Sequence, residues 1–511
     1  MLSFIVFKHV TKHAVIIFCW ISAIIIGGYL RFDDLAKRPF HADEATGARI
    51  TAQRLDAVGG TFDPKHFHGP LLSDVAMPIC AMRGEHRWQE LTKFSLRMGP
   101  AIAGTLLILV PLLWRRRFGD APMLLAAACL ATSPLLVYYS RMFIHEMLLV
   151  LIGMLVLVSF TQRPRWWLSG VLLGLMFATK ESFAISVIAW SGAGLLVAFD
   201  NRKLIDRILI QEFLRNHIRG IGVLFIAAAF TSGILYTDFF RHPWGAVDAV
   251  RTFFVYETVR GHDKSFGYYF ELLVMPKKSG GIWWFETPVL ILAVIAYVRT
   301  FSTAGKHRSL VRFIAYSVAG QFLVYGIISY KTPWLACLPW AHVCLLAGFT
   351  VMDLGKCKLG IRIAVSSLVG VLLGSQFLQT KRVIGRFASD ERNPYAYVPT
   401  RNDVENLESW LEKLRDCVPA GSLEPVAVIG ADYWPLPWYL RKFKQIGYWQ
   451  QAPENVGKLP MVFLMPDAQE SVTVDLEKTH VSLPRGLRAN VPILLCVRKD
   501  IWEKWMEDGT K

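Results

Sequence analysis

Several things are missing from this sequence, and each absence removes a class of protein. Its eight cysteines stand apart, with no C-x-x-C pair, so zinc-ribbon and dithiol redox chemistry have no ligand set. There is no low-complexity tract and no short-period repeat, which leaves out solenoids and propellers. There is no basic patch either. The formal charge is +16, but Lys and Arg fall in short clusters between apolar runs, so no nucleic-acid partner is expected. Charged residues make up only 19% of the 511 positions and hydrophobic residues 53%. The hydrophobic residues come in long uninterrupted runs, the composition of an α-helical polytopic membrane protein.

A span needs about 20 apolar residues. The runs 13–30, 96–114, 121–139, 145–161, 166–180, 182–199, 219–236, 283–299, 310–329, 334–352 and 361–378 give about 11 transmembrane helices. The stretch Trp166 to Phe199 would be about 50 Å long as one helix. Its only charges, Lys180 and Glu181, sit in the middle, so two short spans with a tight turn at a Lys180–Glu181 pair are expected. Lys8, His9 and Lys12 precede the first run, and no clear small-x-small cleavage site follows it. This predicts a retained span with a cytoplasmic N-terminus. Arg115 to Arg117, Arg163 to Arg165, Asn201 to Arg219, Arg299 to Arg312 and Lys356 to Arg362 then all fall on the cytoplasmic side, as the positive-inside rule requires. Residues 1–380 form the transmembrane domain, with outer loops 31–95 and 237–282, in the cytoplasmic (inner) membrane. Residues 381–511 read as an extracytoplasmic domain of Lys511 and everything before it back to the last span. Strands near Val426, Met461 and Ile493, with helices around 402–415 and 498–508, make it a small C-terminal α/β domain. A Cys417–Cys496 disulfide there is an open reading, given the oxidising compartment.

Chemistry-bearing residues gather at the expected outer face. His41-Ala42-Asp43-Glu44 follows the first span, and carboxylates this close to hydrocarbon are costly unless paired or used. Asp43 is equally acceptable as a helix cap. Ala45, Ala48, Ala52 and Leu55 give the next stretch a small-residue face, with Arg49, Gln53 and Arg54 opposite, which suits a helix lying on the membrane surface. His66 and His68 lie in the extended run up to Pro70. Arg141 and Glu146, Lys180 and Glu181, His262, and Lys331 with Trp334 recur at the outer ends of spans. Each could be an interfacial anchor. Their convergence on one side predicts a cavity lined by mixed charges. Asp43, Glu44, His66, His68 and Glu146 are acceptable ligands for a divalent cation, but no H-x-x-x-H spacing links them. A bound cation stays an open alternative.

The ordered set has a likeness. A first span, an Asp-Glu pair, two surface helices in the first loop and many further spans resemble the GT-C class of polyprenyl-phosphate-sugar glycosyltransferases, which includes protein O-mannosyltransferases and the aminoarabinose transferases of lipid A. His41-Ala42-Asp43-Glu44-Ala45 with Asp63-Pro64…His68-Gly69-Pro70-Leu71-Leu72 is similar to one branch, the flippase-activity-associated membrane proteins. So are Lys180-Glu181, His262, Lys331-Thr332-Pro333-Trp334 and Trp434-Pro435-Leu436-Pro437-Trp438-Tyr439. Glu146 stands where transferases of the class often have aspartate. The resemblance implies Asp43 as base, Glu44 orienting it or the substrate, and Lys180, Lys331 and Arg141 near a lipid phosphate. The implied partners are the bilayer, a polyprenyl-phosphate-linked sugar donor and an envelope glycan, lipid or protein acceptor. The rival readings are a non-catalytic flippase or flippase-associated accessory protein, and a scaffold for envelope assembly.

Overall fold

The computed structural model describes residues 2–56, 62–161, 165–200, 207–255, 261–302 and 307–508. The side chains of Lys8, His9 and Lys12, together with Arg163 and Lys511, lie outside the described residues. Helix occupies each of the apolar runs. Seven helices among the described residues are long and apolar enough to cross a membrane, or eight when Asp120–Thr132 and Pro134–Ser140 count as one span bent by 58°. The bend falls at Ser133-Pro134: the proline has no N–H to continue the first helix, and the Ser133 hydroxyl caps the second. The remaining runs form shorter apolar helices, Glu146–Thr161, Trp166–Phe177 and Thr287–Ser302.

The predicted break between Trp166 and Phe199 is present, since one helix stops at Phe177 and the next starts at Phe183. Trp166–Phe177 packs tightly on Arg207–Tyr236 through Gly170 and Gly174. A Cβ at these positions would stand 2.3 Å from the Leu224 carbonyl oxygen and 2.5 Å from that of Ala228. Spaced four apart, the two glycines let the backbones approach as small-residue interfaces in membranes do.

The first loop carries helices Ala42–Leu55 and Leu71–Met82. The small-residue face of Ala42–Leu55 does not rest on a bilayer, which corrects the sequence reading. Ala45, Gly47, Ala48 and Ala52 are buried against protein, and a Cβ on Gly47 would touch the Phe143 ring at 3.3 Å. Small residues serve close helix packing here.

The C-terminal part holds a five-stranded sheet in the order Ile446–Trp449, Val426–Ile429, Met461–Leu464, Val491–Arg498, His480–Arg488. The first three strands are parallel and the last two join antiparallel. Val426–Ile429 and Met461–Leu464 are buried throughout, so their sequences read as continuous apolar runs. Ile446–Trp449 is an edge strand, and His480–Arg488 alternates weakly; neither had the apolar run that would announce it. Cys417 and Cys496 are free thiols, which overturns the disulfide reading. Cys496 faces helix Pro466–Glu477 with Ala427 and Val462, whereas helix Leu407–Asp416, which ends at Cys417, packs on the opposite face with Val426 and Phe463. The alternation of the strand puts the two sulfurs on different sides of the sheet.

That second face merges with the core of the membrane part. Trp438 packs on Phe40 at 4.1 Å between ring centroids, and the Phe40 N–H donates to the Tyr439 hydroxyl at 2.9 Å. The Thr400 hydroxyl donates to the Phe40 carbonyl at 2.8 Å. The sheet domain therefore grips the segment just before Asp43.

Candidate functional site

His41, rather than Asp43, caps the helix Ala42–Leu55. Its Nδ1 accepts the Asp43 N–H at 3.1 Å, so the proton sits on Nε2, which donates to the Tyr397 carbonyl at 3.1 Å. Asp43 is thereby relieved of the capping role, and its side chain is 53% exposed at the wall of a cavity of about 380 Å³. His262, Tyr330, Tyr397 and, from the sheet domain, Arg488 lie near enough to feel its charge.

Glu44 has the opposite surroundings. It is fully buried and bidentate with Arg97, at 2.7 Å from Nε and 2.8 Å from Nη2. Arg38 adds a third contact at 3.2 Å, and the N–H groups of His41 and Phe143 donate at 3.0 and 2.8 Å. Burial pushes its carboxyl up, but the two guanidiniums outweigh this and hold it at about 2. Arg97 also donates to the carbonyls of Leu35, Arg38 and Pro39, so the pair staples the loop that presents Asp43. Arg97 has a faint sequence signal, a lone arginine just inside an apolar run; such a charge needs a partner.

His66, His68, Glu146, Lys180, Glu181 and Trp334 line the same cavity as Asp43. The pairing among them differs from the expected Lys180–Glu181 contact. The Lys180 Nζ bonds Glu146 at 2.6 Å, and Glu181 takes His68 Nδ1 at 3.0 Å. Neighbours at a turn point apart, and each finds a partner on another element. Burial raises the Glu181 carboxyl, yet His68 and Lys180 bring it down to about 2. His66 pairs with Asp63 at 2.8 Å near the rim. His145, beside Glu146 in the sequence, also lines the cavity, and its ring meets His68 edge-on at 5.1 Å. Tyr325, Tyr330 and Trp334 form an aromatic wall.

Four expected residues, Glu44, Arg141, His262 and Lys331, do not line the cavity. Arg141 donates to the carbonyls of Leu30, Arg31 and Asp34, closing the end of the first helix. Lys331 is buried with its ammonium on the carbonyls of Lys264 and Ile328, at 3.1 and 2.5 Å. Both cations are taken up by backbone carbonyls, as the last carbonyls of a helix such as those of Leu30 and Arg31 require. His262 bonds the Tyr397 hydroxyl at 2.5 Å, and burial lowers its basicity while Asp43 opposes that. Among the described residues no three His, Cys, Asp or Glu side chains group as metal ligands.

This arrangement of helices, two loop helices, a cavity on one face and an appended sheet domain is the GT-C fold. Residues 89–214 match the family model described as dolichyl-phosphate-mannose-protein mannosyltransferase. The structure is similar to apo ArnT from Cupriavidus metallidurans, with 15% identity, a TM-score of 0.64, and 96% of this chain and 99% of that one covered. ArnT bound to undecaprenyl phosphate matches at 14% identity and TM-score 0.58, over 93% and 97% of the two chains. The oligosaccharyltransferase AglB from Archaeoglobus fulgidus, in complex with an inhibitory peptide and a dolichol-phosphate, matches at 12% and 0.55, over 93% and 73%. No curated protein matches the sequence. The chain is a multi-pass membrane protein with an ArnT-like GT-C fold.

Proposed function

We propose that this chain is a membrane glycosyltransferase, moving a sugar from a polyprenyl-phosphate donor to an envelope acceptor with inversion at the anomeric carbon. The observation that carries this reading is Asp43: a carboxylate relieved of capping, presented by a buried ion cluster at the wall of the cavity that holds Lys180. In the reaction, Asp43 takes the proton of the acceptor hydroxyl as its oxygen bonds to the anomeric carbon. The bond from that carbon to the phosphate oxygen breaks, and the electron pair leaves with the lipid phosphate. Lys180 and His68 face the charge that develops. Glu146 orients the Lys180 ammonium, and Glu181 orients His68. Glu44 acts on Asp43 only through the loop, as a positioning residue. The cavity opens on the extracytoplasmic side, with the N-terminus in the cytoplasm and the sheet domain outside.

A flippase or accessory role needs lipid binding without a base, so it gives no use to the way Asp43 is presented. Asp43→Asn decides between them. It keeps the shape of the side chain and removes the proton acceptor, so binding of polyprenyl phosphate should persist while transfer in membranes falls by roughly two to four orders of magnitude. Undiminished transfer in this variant would exclude Asp43 as the base.

A further inference from the structure

The span Arg207–Tyr236 ends in an unusual turn. Asp238, Phe239 and Phe240 are consecutive residues with φ of 48°, 56° and 69°, a left-handed conformation that bulky residues rarely adopt. The turn is held from several sides. The Asp238 carboxylate accepts from Arg54 at 2.8 Å, and the same guanidinium grips Asp74 at 2.6 Å and the Pro70 carbonyl at 3.2 Å. The Phe240 N–H donates to the Thr237 hydroxyl at 3.1 Å. The constraint turns the Phe239 and Phe240 rings outward, and both are exposed.

Helix Gly245–Val255 follows. Its buried side is Gly245, Ala249 and Thr252. At Gly245 a Cβ would lie 2.0 Å from the Tyr236 carbonyl oxygen, so the helix starts directly against the end of the span. Further along, the Phe253 ring meets those of Phe177 and Phe183 at 5.7 and 6.4 Å. The helix therefore lies across the ends of three apolar helices. Its other side presents Trp244, Val247, Val250 and Phe254 at helical spacing; Trp244 is 78% and Phe254 83% exposed. The span before it also exposes large apolar side chains, Phe225, Ile226 and Phe230. Arg241 and Arg251 flank it, largely exposed and in loose contact with Asp238 and Asp248 at 3.7 and 3.8 Å. Long basic side chains beside apolar residues suit the boundary between acyl chains and anionic headgroups.

We propose that Phe239 to Phe254 forms a wedge that docks into the leaflet on the cavity side, with anionic lipid as its preferred partner. Arg54 and Asp238 couple the wedge to helices Ala42–Leu55 and Leu71–Met82. Tyr236, Asp238 and His242 line a small pocket of about 50 Å³ that shares His68 and His145 with the main cavity. The wedge thus sets the depth at which the bilayer meets the site.

The test is depth measurement on the full-length protein in nanodiscs, independent of any transferase activity. Spin labels go on Val247→Cys, Phe254→Cys and, for comparison, Asp248→Cys, with Cys19, Cys357 and Cys417 replaced by Ser. Labels at 247 and 254 should be relaxed several-fold more by oxygen than by a water-soluble nickel chelate, with the ratio reversed at 248. Adding phosphatidylglycerol to phosphatidylcholine discs should deepen the first two labels, and Arg241→Gln with Arg251→Gln should abolish that shift. Equal access of all three labels to the nickel chelate would overturn the proposal. So would protection of 247 and 254 from both relaxants, which indicates cover by a second copy of the chain. An unchanged depth on adding phosphatidylglycerol would overturn the lipid preference.

Discussion

Asp43 and Glu44 are adjacent in sequence and differ in every physical respect that matters for chemistry. Helix geometry turns one towards the cavity and the other into the protein, where Arg97 and Arg38 meet it. Removing one partner of such a buried pair costs roughly 3–5 kcal/mol, so Glu44→Gln should lower the melting temperature in detergent markedly. A shift no larger than that of an exposed control such as Glu470→Gln would show that the pair is not needed for folding. The pH dependence has a definite sign. With its folded carboxyl depressed from its ordinary 4.5 to about 2, Glu44 contributes stability fully above 4.5 and loses it as pH falls through 2. Glu181 acts in the same direction and window. Wild-type stability should decline across this range, and Glu44→Gln should decline less steeply.

The turn between Phe177 and Phe183 sets the cavity through backbone contact. Gly69 passes so near that a Cβ would lie 2.1 Å from the Ala178 carbonyl oxygen, and the Leu71 N–H donates to that oxygen at 3.0 Å. This crossing brings His68 to Glu181 and fixes Lys180 opposite Glu146. In Gly69→Ala, overpacking should cost about 1–3 kcal/mol and displace His68, so transfer should fall more than stability alone explains. Gly267→Ala, whose Cβ meets nothing nearer than 3.6 Å, is the control. Equal behaviour of the two variants would remove the turn from the site. Residues 64–66 of the run Phe62 to Pro70 form a turn, closed by the Phe67 N–H on the Asp63 carbonyl at 3.0 Å, and not the expected extended chain, but the run's lead into a helix at Leu71 was legible. Its crossing of Ala178 was not, because close approach of two backbones leaves only a glycine as its mark.

Across the whole molecule, the sheet domain and the membrane domain share the loop that bears Asp43. Tyr439→Phe removes the acceptor for the buried Phe40 N–H, a loss of about 1–3 kcal/mol, and should loosen the domain from that loop. Faster proteolysis of the C-terminal segment together with reduced transfer is the expected outcome; unaltered proteolysis would mean that the Trp438–Phe40 contact suffices. Orientation is tested separately. Reporter fusions after residue 117 and after residue 362 should be active only with a cytoplasmic reporter, and fusions after residue 498 only with an extracytoplasmic one. The opposite pattern would invert the proposed topology.

The sequence by itself determined where the helices run, since long apolar segments must satisfy their backbone internally, and it fixed the buried strands for the same reason of continuous apolarity. It also marked Asp43, His66, His68, Glu146, Lys180, Glu181 and Trp334 as candidates for one face. Tertiary structure alone decided the partners. Lys180 joins Glu146 and not its neighbour, Glu44 is withdrawn by Arg97, and Arg141 and Lys331 are taken by backbone carbonyls. Charge and hydrogen bonding act over a few ångströms in space, and residues dozens of positions apart come within that range only when the chain has folded.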